Sequence, residues 1–171
     1  MFTLVIGGAA SGKSEYAESR VTGLPGRRIY LATMRPWDQE CRNRIDRHRR
    51  LRLGKGFETL ERYTDLAGAE IPAGANVLLE CMSNLTANEL YDPEGGGREA
   101  VLRGVDALLA RCGHLTVVTN EVFSGGAAYG EDTLRYLRAL AAINRLLAAR
   151  ADTVAEIICG LPNYLKGGPL P

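Results

Sequence analysis

Gly7, Gly12, Lys13 and Ser14 stand at the four fixed places of the pattern G-x-x-x-x-G-K-[ST], within the run Gly7-Gly8-Ala9-Ala10-Ser11-Gly12-Lys13-Ser14. A loop of this kind can hold a triphosphate. Its glycines let the backbone curl until successive N–H groups point at the phosphates, and the N-terminal end of the next helix adds partial positive charge. Lys13 would then reach the β- and γ-phosphates, and the Ser14 hydroxyl would ligate Mg²⁺. The alternative is a glycine-rich turn with a solvated lysine. The flanks argue against it, because Phe2 to Ile6 is a short apolar run of strand type and Ser14 to Val21 reads as a helix.

His48 is the second group with chemical capacity. The stretch from Asp38 to Arg52 follows Pro36, carries Asp38 and Glu40 in its first turn, and predicts a polar helix rich in arginine. Arg44 lies four residues before His48 and Arg52 four after, so the three share a helix face. Close cations disfavour the imidazolium form, which keeps the ring neutral and available as a nucleophile or base near pH 7. The arginines offer bidentate donors to phosphate. Three other readings of this helix stand beside that one: a solvated charged face, the lid of a small-molecule kinase, and a nucleic-acid patch. Trp37 is the single aromatic residue nearby, and strand-binding platforms need stacking rings.

Carboxylates complete the candidate set. Asn76-Val77-Leu78-Leu79-Glu80 reads as a buried strand ending in an acid, where a phosphate-loop protein places its Mg²⁺-organising carboxylate. Capping of the following helix is the other role open to Glu80. Glu61 closes a shorter strand-like run, Phe57 to Glu61, and is a weaker candidate. Thr33 follows the strand Arg28 to Ala32, and strand ends carry ligand groups in open α/β sheets. Asn144, on the apolar face of a long helix over 131–151, is either a buried bonded amide or a substrate contact.

These groups need a scaffold. The 171 residues, 46% hydrophobic, are enough for one well-buried core and too few for two ordinary domains, so 1–171 is read as one domain. The net charge of +1 gives no global field to attract nucleic acid or an anionic membrane. Four scattered cysteines, Cys41, Cys81, Cys112 and Cys159, form no C-x-x-C pair and suggest neither zinc nor disulfides; reduced thiols fit a cytoplasmic protein. The leading apolar run is too short for a membrane span.

Along the chain, a helical turn or two is expected over Tyr63 to Ala69, an amphipathic helix over 98–112, and a strand over Thr116 to Thr119 opened by a surface His114. A last buried strand covers Thr153 to Cys159, with a short edge piece over Asn163 to Lys166. Alternating strands and helices imply a mostly parallel sheet with helices on both faces. Right-handed crossovers then bring Gly7, Thr33, Glu80 and Asn120 to one edge of that sheet.

Taken together, the phosphate loop, Ala32-Thr33, Arg44-Ile45-Asp46-Arg47-His48-Arg49, Leu78-Leu79-Glu80-Cys81, Thr119-Asn120-Glu121-Val122 and Gly160-Leu161-Pro162-Asn163-Tyr164-Leu165-Lys166 resemble the bifunctional adenosylcobinamide kinase/adenosylcobinamide-phosphate guanylyltransferase family. The resemblance implies a P-loop NTPase domain of RecA-like α/β type. It implies two reactions: phosphorylation of adenosylcobinamide, then transfer of GMP from GTP to the phosphate, giving adenosylcobinamide-GDP for cobalamin biosynthesis. It implies that His48 is the guanylylated residue and, with Lys13, catalytic. Gly7, Gly8, Ala9, Ala10, Ser11, Gly12, Lys13, Ser14, Ala32, Thr33, Met34, Arg49, Arg50, Leu51, Arg52, Glu61 and Glu80 would contact GTP, and Ser14 and Glu80 would hold Mg²⁺. ATP is the alternative donor for the kinase step. A homotrimer is implied, with adenosylcobinamide and its phosphate as substrates and no nucleic acid or membrane partner. The loop Phe123 to Gly130 departs from the family pattern and is expected to touch the corrinoid. A single-activity kinase and a nucleotide-dependent nucleic-acid switch are the functions from other classes.

Overall fold

The computed structural model describes residues 1–123 and 128–169. The chain runs β1 (Phe2–Gly7), α1 (Lys13–Thr22), β2 (Arg28–Ala32), α2 (Gln39–Arg52), β3 (Phe57–Glu61), a 3₁₀ turn (Leu66–Gly68), β4 (Asn76–Glu80), α3 (Met82–Tyr91), α4 (Gly97–Arg111), β5 (His114–Asn120), α5 (Glu131–Arg150), β6 (Thr153–Ile158) and β7 (Leu161–Lys166). One seven-stranded sheet has the order β3-β2-β4-β5-β1-β6-β7. Strands β1 to β6 pair in parallel, and β7 closes the edge antiparallel to β6.

Both faces of the central strands are buried, which is why they read as continuous apolar runs. Side chains alternate between two cores. Leu4, Leu31, Val77, Leu79 and Val117 face Leu85 of α3, Val101, Val105 and Leu108 of α4, and Leu140, Ile143 and Leu147 of α5. Val5, Tyr30, Leu78 and Val118 face Ala17 and Val21 of α1. Helices therefore cover both faces, as the alternation of elements predicts.

Helix α2 is different. Asp38, expected within its first turn, instead caps it by accepting from the Cys41 N–H at 2.7 Å. Arg52 is its one buried residue, lying with its guanidinium 3.4 Å from the centre of the Tyr30 ring. A cation–π contact in place of an apolar stripe seats the helix on the α1 side of the sheet.

Several expectations need correction. Helix α3, which follows Glu80, is given no bounds by the sequence reading, because its buried positions Ser83, Thr86 and Glu89 are polar and mask the stripe formed by Met82 and Leu85. The helical stretch at 63–69 is only the turn Leu66–Gly68. His114 is buried, not on the surface: its Nε2 lies 3.3 Å from Thr3 Oγ1, and burial lowers its pKa to about 4. Strand β6 stops at Ile158, because Cys159 and Gly160 both take positive φ and turn the chain into β7 two residues sooner than expected. Asn144 needs no correction: of the two roles left open for it, it is the bonded amide, accepting from Thr119 Oγ1 at 2.8 Å.

Gly104 shows what packing demands of α4. A Cβ there would lie 2.4 Å from Leu66 Cβ, and Leu66 is fully buried. Helix propensity favours alanine over glycine by about 1 kcal/mol, whereas overpacking costs about 1–3 kcal/mol. Gly104→Ala is therefore expected to lower stability in urea denaturation by up to about 2 kcal/mol; a more stable variant would show that the contact yields.

Candidate active site

The register of the parallel strands sets the site. Gly7 pairs with Asn120 and Ala32 with Glu80, while Glu80 pairs with Val118, so β1 and β5 run two residues beyond the ends of β2 and β4 at the same side of the sheet. Beyond those ends lies a cleft of about 650 Å³ bordered by the phosphate loop, α2 and the first residues after β4 and β5.

The loop geometry depends on missing side chains. A Cβ on Gly7 would lie 2.5 Å from Ser11 Oγ and 2.8 Å from the Ile157 carbonyl, so only glycine lets the chain turn here. Gly12 has φ +90° and passes within 3.0 Å of Gly160 Cα, measured from its ideal Cβ position. The Gly160 N–H donates to the Ser11 carbonyl at 2.8 Å and ties the loop to the β6–β7 turn. Lys13 is buried and donates from Nζ to the Gly8 carbonyl at 2.8 Å, which lays its amine along the loop; burial is the main force lowering its pKa.

Ser14 Oγ donates to Glu80 Oε1. Two hard oxygen groups thus meet at the start of α1, a donor set suited to Mg²⁺. Burial pushes the Glu80 carboxyl above its ordinary range, opposed by hydrogen bonding to Ser14 and Tyr30 and by Lys13 and Arg52. Across the cleft, His48 Nδ1 stands 3.9 Å from Glu80 Oε1 and is buried, with no hydrogen-bond partner among the described residues. Its pKa is lowered. Burial is the largest cause, and Arg52, Arg44 and Arg47 add to it. The neutral ring expected from charge alone is therefore set first by desolvation.

Of the nucleotide contacts expected from sequence, Ala9, Ala10, Ser11, Gly12, Lys13, Ser14, Ala32, Met34, Arg49, Leu51, Arg52, Glu61 and Glu80 line the cleft together with His48. Gly7 and Gly8 shape the loop from behind and do not line it. Thr33 does not line it either: it is fully buried, donating from Oγ1 to the Cys81 carbonyl at 2.8 Å. Arg50 points to solvent, because only one face of α2 can meet the cleft. Arg49 and Tyr63 both bond Glu61, at 2.6 and 2.7 Å, and hold its pKa down. Tyr30, Thr59 and Asn84 also line the cleft and were not anticipated. The alternation of β2 places Tyr30 there, whereas Asn84 sits on α3, to which the sequence reading gives no bounds. Residues 124–127 of the loop expected to touch the corrinoid lie outside the described residues.

A family model described as cobinamide kinase / cobinamide phosphate guanyltransferase matches residues 3–165. The chain belongs to that family. Among curated relatives, the bifunctional adenosylcobalamin biosynthesis protein CobP of Pseudomonas aeruginosa is 35% identical over an alignment covering 99% of this chain and 100% of the relative. The bifunctional adenosylcobalamin biosynthesis proteins CobU of Escherichia coli K12 and Salmonella typhimurium LT2 are each 34% identical, covering 97% of this chain and 100% of their own. The family match spans every element that borders the cleft.

A pair of glycine variants tests the loop. In Gly7→Ala the added methyl meets a backbone carbonyl, whereas at Gly8 nothing lies within 4 Å. Gly7→Ala is expected to weaken GTP binding about tenfold or more by calorimetry, and Gly8→Ala to change it by less than about threefold. Equal effects would detach the binding site from this loop geometry.

Proposed function

We propose that this chain phosphorylates the aminopropanol hydroxyl of adenosylcobinamide and then transfers GMP from GTP to the resulting phosphate through a guanylyl-His48 intermediate. The observation that carries the proposal is the meeting of a desolvated His48 ring with the phosphate loop and Glu80 in one cleft. A solvated face or a simple arginine lid gives no reason to bury a histidine nitrogen without a partner beside a phosphate site.

In the transfer, a lone pair on a His48 ring nitrogen attacks the α-phosphorus of GTP. An N–P bond forms, the bond from the α-phosphorus to the bridging oxygen breaks, and its electron pair leaves on pyrophosphate. An oxygen of adenosylcobinamide phosphate then attacks the same phosphorus and returns the ring to its neutral form. Splitting the reaction in two is the advantage of a covalent intermediate. Lys13 and the loop N–H groups orient the phosphates, and Arg44, Arg47 and Arg52 face the charge that develops on pyrophosphate. Mg²⁺, held by Ser14 and Glu80, would neutralise phosphate oxygens in both reactions. GTP is the guanylyl donor in this reading, and either GTP or ATP serves the kinase step. Subunits assemble as trimers in the cytoplasm, which would let a small domain enclose a large corrinoid between neighbours.

Incubation with GTP labelled at the α-phosphate is expected to leave acid-labile label on the wild-type protein and none on His48→Ala. An unlabelled wild type, or label retained by His48→Ala, would overturn the covalent route.

A further inference from the structure

Glu18 belongs to none of the roles above, yet it is almost completely buried beside them. It lies on α1, four residues after Ser14 and so on the same helix face, with 1% of its surface exposed. Its Oε2 accepts from Lys55 Nζ at 2.5 Å. Lys55 sits in the turn that ends α2, where its N–H donates to the Arg52 carbonyl at 3.1 Å. The pair thus joins the helix that starts at the phosphate loop to the end of the helix that carries His48. A carboxylate oxygen of Glu18, a ring nitrogen of His48 and a carboxylate oxygen of Glu80 all lie within 4.8 Å of one another.

Two things set this pair apart from an ordinary ion pair. Burying two opposite charges contributes little net stability, and well-packed apolar residues often serve as well, so stability alone does not account for it. The surroundings of His48 are also strongly cationic: Arg44, Arg47 and Arg52 come from its own helix, and all three oppose positive charge on the ring. Glu18 is the acid that acts against them from α1. Glu80 is already engaged by Ser14 and faces the phosphate loop.

We propose that Glu18, anchored by Lys55, is a charge-balancing residue for His48 that stands within 4.8 Å of the ring and offsets the charge it gains on guanylylation. The inference rests on the guanylyl-histidine reading. When the neutral ring bonds to phosphorus its other nitrogen keeps its proton, so the imidazole carries one positive charge until the GMP leaves or the proton is lost. That charge arises next to three arginines. A fixed carboxylate within 4.8 Å favours it, and a carboxylate fixed by a lysine does not need to reorganise as it forms. The kinase reaction places no charge on His48 and has no need of Glu18.

The test is Glu18→Gln, which keeps the shape and can still bond Lys55 but lacks the charge. Rapid-quench labelling with α-labelled GTP is expected to slow roughly 10- to 100-fold, the usual cost of losing the carboxylate behind a working histidine. Kinase turnover and the KM for GTP should stay within about twofold, since binding common to both states is untouched. Lys55→Arg, which keeps a cation beside the buried Glu18, is the second variant and should label at near the wild-type rate, so that slow labelling in Glu18→Gln is assigned to the lost carboxylate charge. Equal losses of both activities, or full-rate labelling in Glu18→Gln, would overturn the proposal. A wild type that takes no label would instead remove the guanylyl-histidine reading and this inference with it.

Discussion

A parallel sheet offers its ligand-binding groups along one edge only, and the chemistry of this protein depends on the register in which four strands reach that edge. Gly7 is level with Asn120, and Glu80 with Ala32 and Val118, so the phosphate loop begins two residues beyond the level of the carboxylate that Ser14 meets. A shift of one residue would send Glu80 to the opposite face of the sheet and break its contact with Ser14. The apolar content of β1, β4 and β5 fixes that register, because both faces of these strands are buried and every alternate residue belongs to a different core. Hydrophobic packing far below the cleft thus decides whether a serine and a glutamate can share a cation.

His48 is held by forces of another kind. Helix α2 buries no apolar stripe; it rests on the Arg52–Tyr30 contact, the Lys55–Glu18 pair and the Arg49–Glu61 pair. Exposed ion pairs contribute little each, so the helix is seated by a few well-placed contacts at its C-terminal end and not by area. Its arginines repel one another along the cleft wall. An anionic ligand relieves that repulsion, which couples the seating of α2 to the presence of polyphosphate in the cleft.

How legible this was in the sequence follows from the same division. Strands β2, β3 and β4 and the phosphate loop could be read directly, since a spacing rule and continuous apolar runs report local structure faithfully. His48 could be singled out from arginines at helical spacing. Other features depended on tertiary placement. Thr33 and Arg50 stand at positions of the right kind but turn away from the cleft, Thr33 into a bond with the Cys81 carbonyl and Arg50 into solvent. Helix α3 hid behind buried polar residues, and with it Asn84. His114 looked like a surface residue because it opens a strand beside Gly113, and Thr3, which accompanies it in space, lies far away in sequence. Glu18 carries no local signal in the sequence, because the partner that buries it, Lys55, lies 37 residues away.

One cleft serves two phosphorus centres in this account: the γ-phosphate when the corrinoid hydroxyl is phosphorylated and the α-phosphate when GMP moves. The shared loop and carboxylate suit both, and His48 is what separates the second from the first. The most direct measurement is the stereochemical course at phosphorus, using GTP made chiral at the α-phosphorus as guanylyl donor. Two successive in-line displacements through His48 predict net retention in adenosylcobinamide-GDP. Net inversion would mean a single displacement, and would contradict the covalent role of His48.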